Sequence, residues 1–210
     1  MRRVSRTLVF LAAAAAAIPM VLDAQSTPAT ARSEARLQLG NLLFDDQRYW
    51  EAISVFDEAK ALAGPEQIVQ ASSGLLRSLL QVAEFTKARD EADFLISQAP
   101  DDPGVQSLWG DALWAAGLFD EAEQIYRDVL ARDPASGAGR HGMAKSLATR
   151  GQYDDALNWV HAALEVAPEV ATYHHTLGFI HQRMRQYPRA AEAYQAYVDR
   201  LPTAANSEKA

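Results

Sequence analysis

Gly137-Ala138-Gly139-Arg140-His141-Gly142 spells GxGxxG, the spacing with which a glycine-rich turn holds a dinucleotide pyrophosphate. That chemistry requires a strand before the turn and a helix after it. Asp133-Pro134 precedes the run instead. Proline keeps the residue ahead of it out of helical geometry and lacks a backbone N–H, so the run reads as the joint between two helices. The same stretch approaches a phosphate loop, but Met143 stands where the lysine must be. His174, His175 and His181 raise the chemistry of a metal site. Ligands on one helix face need a spacing of three or four, whereas His174 and His181 are two turns apart, and no cysteine or nearby carboxylate completes the set. The chain has no cysteine at all and no serine in a GxSxG turn, which removes the usual nucleophiles. The carboxylate pairs Asp45-Asp46, Asp101-Asp102 and Asp154-Asp155 fall at turns and joints, where capping and solvation account for them. No cofactor, no metal and no enzymatic activity is expected.

What does carry information is the spacing that surrounds these residues. Pro100, Pro134, Pro168 and Pro202 stand 34 residues apart, and two further series keep the step: Phe85, Phe119, Tyr153, Tyr187, and Ala88, Ala122, Ala156, Ala190. A fixed period of this length marks a solenoid of helix–turn–helix units. Five units fall at 33–66, 69–102, 103–136, 137–170 and 171–204, with Gln67 and Ile68 as extra residues at the first joint. In the third unit Leu108, Trp109, Ala112 and Leu113 make one apolar stripe. Gly117 to Asp120 turns the chain, and Ala122, Ile125, Tyr126, Val129 and Leu130 make the second. The alanine series and Gly40, Gly110 and Gly178 are expected to permit close packing of helices, and the aromatic series at the turn to fill the wedge between units.

The ends differ in composition from the array. Arg2, Arg3 and Arg6 precede an uncharged apolar run from Leu8 to Leu22, too short to be a comfortable membrane span of about 20 residues. Residues 1–26 therefore read as a secretory signal peptide with cleavage after Ser26, and cleavage after Ala24 as the close competitor. The alternative is an N-terminal anchor through residues 8–22. Residues 27–32 read as a flexible lead-in and 205–210 as a tail. The expected location is exported and periplasmic, with membrane attachment only if the N-terminal segment stays on. Without cysteine, an exported chain has to hold together by packing alone, and 49% hydrophobic residues supply the means. A net charge of −7 is a poor match to nucleic acid.

The units resemble tetratricopeptide repeats. Trp109-Gly110, Phe119, Ala122, Tyr126 and Pro134 carry the resemblance in the third unit, and Leu177-Gly178, Tyr187, Ala190, Tyr194 and Pro202 in the fifth. The first unit follows through Leu39-Gly40, Tyr49, Ala52, Phe56 and Ala59 but closes late, at Pro65. The second and fourth are looser, with Leu75-Leu76 and Met143-Ala144 in place of the glycine pair. The resemblance implies an all-α, right-handed α-solenoid of about five units whose first helices line a concave, protein-binding face. Helical spacing puts Asn41, Phe44, Arg77, Asp111, Trp114, His141, Lys145, His175, Phe179, Gln182 and Arg183 on that face. Its later part gathers Lys145, Arg183 and two histidines, so an extended peptide bearing an acidic or C-terminal carboxylate is the expected ligand, with Trp114 and Phe44 as anchors. The two-carboxylate clamp of some chaperone-binding members is not supported, because Leu37 stands one turn before Asn41 where that clamp needs lysine.

The expectation is an exported interaction scaffold, with envelope assembly or secretion among its settings. The alternative is the repeat-bearing N-terminal part of a larger protein or complex, an enzyme being one such case. After Pro202 only TAANSEKA follows, too short to cover Tyr194, Tyr197, Val198 and Leu201 with a closing helix. Self-association through the C-terminal repeat is therefore also expected.

Overall fold

The structure is a computed structural model that describes residues 28–201. Among these residues it is all helix, in the order α1 (Pro28–Asp45), α2 (Tyr49–Leu62), α3 (Pro65–Gln81), α4 (Phe85–Gln98), α5 (Pro103–Ala115), α6 (Phe119–Arg132), α7 (Gly137–Thr149), α8 (Tyr153–Val166), α9 (Ala171–Arg183) and α10 (Tyr187–Arg200). The expected signal or anchor at 1–26, Pro202 and the tail at 205–210 lie outside the described residues. No described helix is long and apolar enough to cross a membrane.

Every odd-numbered helix ends in the same way. Gln47, Ala83, Gly117, Gly151 and Arg185 hold φ between 59° and 82°, the left-handed conformation. In each turn the N–H of that residue reaches back three residues, and the next N–H reaches back five, as in Gly117 N–H to the Trp114 carbonyl (3.0 Å) and Leu118 N–H to the Leu113 carbonyl (2.9 Å). This paired bonding satisfies carbonyls that the helix end leaves free. It also aims each even-numbered helix back along its partner. Glycine adopts that φ without penalty, which explains Gly117 and Gly151; alanine does not. Ala83→Gly is expected to stabilise the chain by about 0.5–1 kcal/mol, measured by chemical denaturation. A loss of stability would contradict the account of this turn.

Curvature follows from which helices touch. Successive odd helices meet (α1 with α3, α3 with α5, α5 with α7, α7 with α9), whereas no two even helices do among the described residues. A stack whose layers differ in spacing bends toward the closer layer, so the odd helices line the concave side.

The alanine series is fully buried at Ala88, Ala122 and Ala156, and 4% exposed at Ala190. The aromatic series departs from expectation. Phe85, Phe119 and Tyr187 are exposed. The wedge between units is filled instead by residues seven positions later, Phe56 and Tyr126, both essentially buried. Phe56 is clamped between Gly40 and Gly74, and Tyr126 between Gly110 and Gly142. A Cβ on any of these glycines would lie 2.2–2.7 Å from the ring.

Two boundaries also shift. Residues 28–32, expected as a flexible lead-in, are the start of α1, because Pro28 sets the first turn and the Ser33 hydroxyl anchors the helix to the Ala59 carbonyl (3.0 Å). Gln67 and Ile68, expected as joint insertions, lie inside α3, which opens at Pro65 and runs 17 residues against 13 for α5, α7 and α9. Farther along, buried Glu123 binds Arg127 in its own helix and Arg150 from the next pair, a charged tie between the third and fourth units.

Candidate functional site

The eleven residues expected on the groove all lie on α1, α3, α5, α7 and α9, the helices of the concave side. They do not form one continuous cationic surface. Near the N-terminal end, Phe44 meets Tyr49 edge-on at 5.3 Å and carries the Arg77 guanidinium over its ring at 5.4 Å. Asn41 is exposed on α1.

The middle of the groove is a closed polar network. The Asp111 Oδ1 atom accepts from Lys145 Nζ at 2.5 Å and from the Tyr126 hydroxyl at 2.7 Å. Burial pushes the Asp111 carboxyl up, but the Lys145 ammonium and the two hydrogen bonds outweigh it and hold the group below its ordinary value. The Lys145 ammonium stands 4.9 Å from the Trp114 ring and 5.8 Å from that of Tyr126. His141 stacks on Tyr173 at 4.6 Å, and its Nε2 pairs with the Thr176 hydroxyl at 2.8 Å. Burial, reinforced by Lys145, lowers the His141 pKa to about 3, so this imidazole is neutral in ordinary buffers.

At the C-terminal end, His175 sits between Tyr194 (5.7 Å) and Tyr197 (5.2 Å), and burial lowers its pKa too. The Tyr194 hydroxyl donates to Gln182 Oε1 at 2.8 Å. Arg183 Nε donates to the Tyr153 hydroxyl at 3.1 Å and forms no ion pair with a carboxylate among the described residues. The expected basic cluster is thereby corrected. Lys145 is already paired within the protein, and both histidines are held in their uncharged form. Of that cluster, among the described residues, Arg183 keeps a charge free for a ligand.

Arg183 borders a hollow of about 440 Å³ lined by Trp114, Ala115, Gly117, Phe119, Ala148, Thr149 and Phe179. Trp114 and Phe119 meet edge-on at 6.0 Å, and Phe179 is 39% exposed despite its apolar character. The Trp114 indole N–H is buried and donates to nothing among the described residues. A larger hollow, about 560 Å³, lies between α2 and α4 over α3. Of its two lysines, Lys60 is bound by both oxygens of Glu91 at 2.8 and 2.7 Å and covers Phe94, and Lys87 pairs with Glu84 at 3.3 Å. The hollow beside Arg183 is the better site because apolar surface and a cation without an ion-pair partner among the described residues converge there.

The GxGxxG run has a packing role. Gly142 faces the Tyr126 ring at 2.2 Å, which excludes a side chain, and Gly139 faces Val129 and Leu130 at 3.1 and 3.2 Å, a tight fit. Ser136 caps α7 through the Gly139 N–H (3.1 Å), and Asp102 caps α5 through the Gly104 and Val105 N–H groups (2.7 and 3.0 Å). His174 donates to the Pro168 carbonyl and His181 pairs with Gln186. Among the described residues no three histidine, cysteine or acidic side chains gather to hold a metal. Tyr126, Phe119, Thr149, Tyr153 and Thr176 also reach the groove, and helical spacing does not reveal them there. It places the first two in the core and the wedge.

Two family models described as tetratricopeptide repeat match residues 74–137 and 113–178, together half of the chain. A cellulose synthase 1 operon protein C of Komagataeibacter xylinus is 30% identical over 112 residues, 53% of this chain and 8% of that protein. An Hsp70-Hsp90 organizing protein of Triticum aestivum is 31% identical over 86 residues, 41% of this chain and 15% of that protein. The chain thus spans less than a sixth of either curated relative. TTC0263, a thermophilic TPR protein of Thermus thermophilus, superposes with a TM-score of 0.69 at 19% identity, covering 83% of this chain and 94% of that one.

Proposed function

Since this chain belongs to the tetratricopeptide repeat family, whose members serve as protein–protein interaction scaffolds, we propose that its concave face captures an extended peptide segment of a partner protein. The observation that carries this reading is the hollow at Trp114, Phe119 and Phe179, closed on one side by the unpaired Arg183 guanidinium. It suits a bulky apolar side chain followed by a carboxylate, from an acidic residue or a free C-terminus. The groove thus reads as a binding module for a partner protein.

Peptides selected from a random library with free C-termini test the reading. They are expected to carry an aromatic or aliphatic residue next to a carboxylate. Arg183→Glu and, separately, Phe179→Asp should each weaken such peptides about tenfold or more, read by fluorescence anisotropy. Retained affinity in both variants would sink the assignment. Lys145→Glu is an uninformative probe, because it sets a second carboxylate against Asp111 and disrupts the groove itself.

The setting follows from the N-terminal segment. A basic start, a short apolar run and a small-residue exit support export, with the array working in the periplasm and envelope assembly or secretion as its field. Mass spectrometry of the secreted chain should find Thr27 as its first residue; an intact Met1 in the membrane fraction would favour an anchor instead. A second reading is favoured by the curated relatives, which match over only 8% and 15% of their lengths. In that reading the array is the recognition part of a larger protein or complex.

A further inference from the structure

Five units make four joints, and the joints obey a size rule. Where the even helix offers an aromatic ring, the next odd helix answers with glycine: Phe56 with Gly74, and Tyr126 with Gly142. Where it offers an aliphatic residue, the same register position carries a side chain: Leu108 at the Ala92 joint and Thr176 at the Val160 joint. The rule is steric. A Cβ at Gly74 would come within 2.4 Å of the Phe56 ring, and at Gly142 within 2.2 Å of the Tyr126 ring.

Tyr194 stands at the aromatic position of the last unit. Its ring lies on Gly178 of α9 at 2.7–3.0 Å from where a Cβ would be, the pose that Tyr126 takes on Gly110 (2.7–3.2 Å). Tyr126 is fully buried because the next odd helix covers its other face, whereas Tyr194 is only half-buried and its neighbour Val198 is 53% exposed. Tyr197 packs against His175 at 5.2 Å.

We propose that the Tyr194–Val198 face docks a helix of a partner polypeptide that carries glycine opposite the Tyr194 ring. It is the third use of a joint that the chain already builds with Gly74 and Gly142. A second copy of this chain does not fit in the same register. The matching position on α1 is Gln38, whose side chain would stand where the ring must go. At the 16-residue step that leads from Tyr126 to Gly142, Tyr194 is followed by Ala210, which carries a methyl group. Self-association through the last repeat, expected from composition at that end, is therefore disfavoured by shape. This face is independent of the groove, which lies on the odd helices' inner side.

A fluorescent synthetic peptide of residues 65–81, the natural glycine helix α3, serves as the probe against the full chain. Saturable binding is expected, weakened at least tenfold by Gly74→Leu in the peptide and by Val198→Asp in the chain. Val198 is exposed, so circular dichroism of that variant should match the parent. In a Tyr194→Ala chain the preference should invert, with the leucine peptide binding more tightly than the glycine peptide. Equal binding of the two peptides to the parent chain, or no binding of the glycine peptide, would overturn the proposal. So would sedimentation showing that the parent chain dimerises through a contact that Val198→Asp abolishes.

Discussion

Gly142→Ala is expected to destabilise the chain by about 3 kcal/mol, the upper range for forcing extra volume into a packed interior. The sign is what makes this result informative. An alanine in a helix interior ordinarily stabilises relative to glycine by about 1 kcal/mol. Here the added methyl meets Cδ1 of the Tyr126 ring at 2.2 Å, and that ring is fully buried with its hydroxyl committed to Asp111. It can neither slide along Gly110, which presses its other face, nor rotate out without releasing Asp111. Thermal melts should show the midpoint falling by roughly 6–12 °C for a chain of this size. The double variant Tyr126→Ala with Gly142→Leu recreates the Ala92–Leu108 pairing, so it should be markedly more stable than the sum of its single changes. An alanine at 142 that left stability unchanged would remove the steric basis of the joints.

Acid should loosen the groove well above the pH at which carboxylates protonate. His141 is neutral in the folded protein because burial lowers its pKa to about 3, while the unfolded chain takes up the proton near the ordinary histidine value. Between these values the unfolded state binds more protons, so stability falls as pH falls. From pH 6.5 to pH 5 the loss from this residue amounts to about 2 kcal/mol. Asp111 acts in the same direction but lower, since its depressed pKa contributes stability that disappears as pH drops through its folded value. His175, whose pKa burial also lowers, adds to the slope. His141→Phe retains a ring to stack on Tyr173 and cannot titrate. Denaturation at pH 7.5, 6 and 5 should therefore give a shallower pH dependence in the variant than in the parent. Parallel slopes would show that His141 is not held neutral.

Much of the architecture could be read from spacing alone. The alanine series, Pro100, Pro134 and Pro168, and the two apolar stripes of each unit repeat at intervals that only paired helices satisfy. The turn aromatics were misjudged because periodicity locates a residue on a helix without saying whether the neighbouring unit reaches it. Phe119 and Phe56 look equally suited to a wedge, and only the glycine contacts distinguish them. The expected groove residues lie on the odd-numbered helices, but spacing along one helix counts their charges singly. Asp111 and Lys145 are 34 residues apart, the same place in successive units, as are His141 and His175. Residues at equal positions in adjacent units stand side by side along the groove, so the step that defined the fold also held the Asp111–Lys145 pairing. The Tyr126 hydroxyl gave no such signal, since a buried tyrosine and a buried phenylalanine occupy the same periodic position.

The central claim is that recognition happens on the concave face, around Trp114, Phe179 and Arg183. Hydrogen–deuterium exchange of the full chain, with and without a library-selected peptide at saturation, tests it most directly. The account predicts slowed exchange in the last turns of α5, α7 and α9 and in the Gly117 and Gly151 turns, with α4, α6 and α8 unchanged. Protection confined to the even helices, or centred on the hollow between α2 and α4, would contradict it.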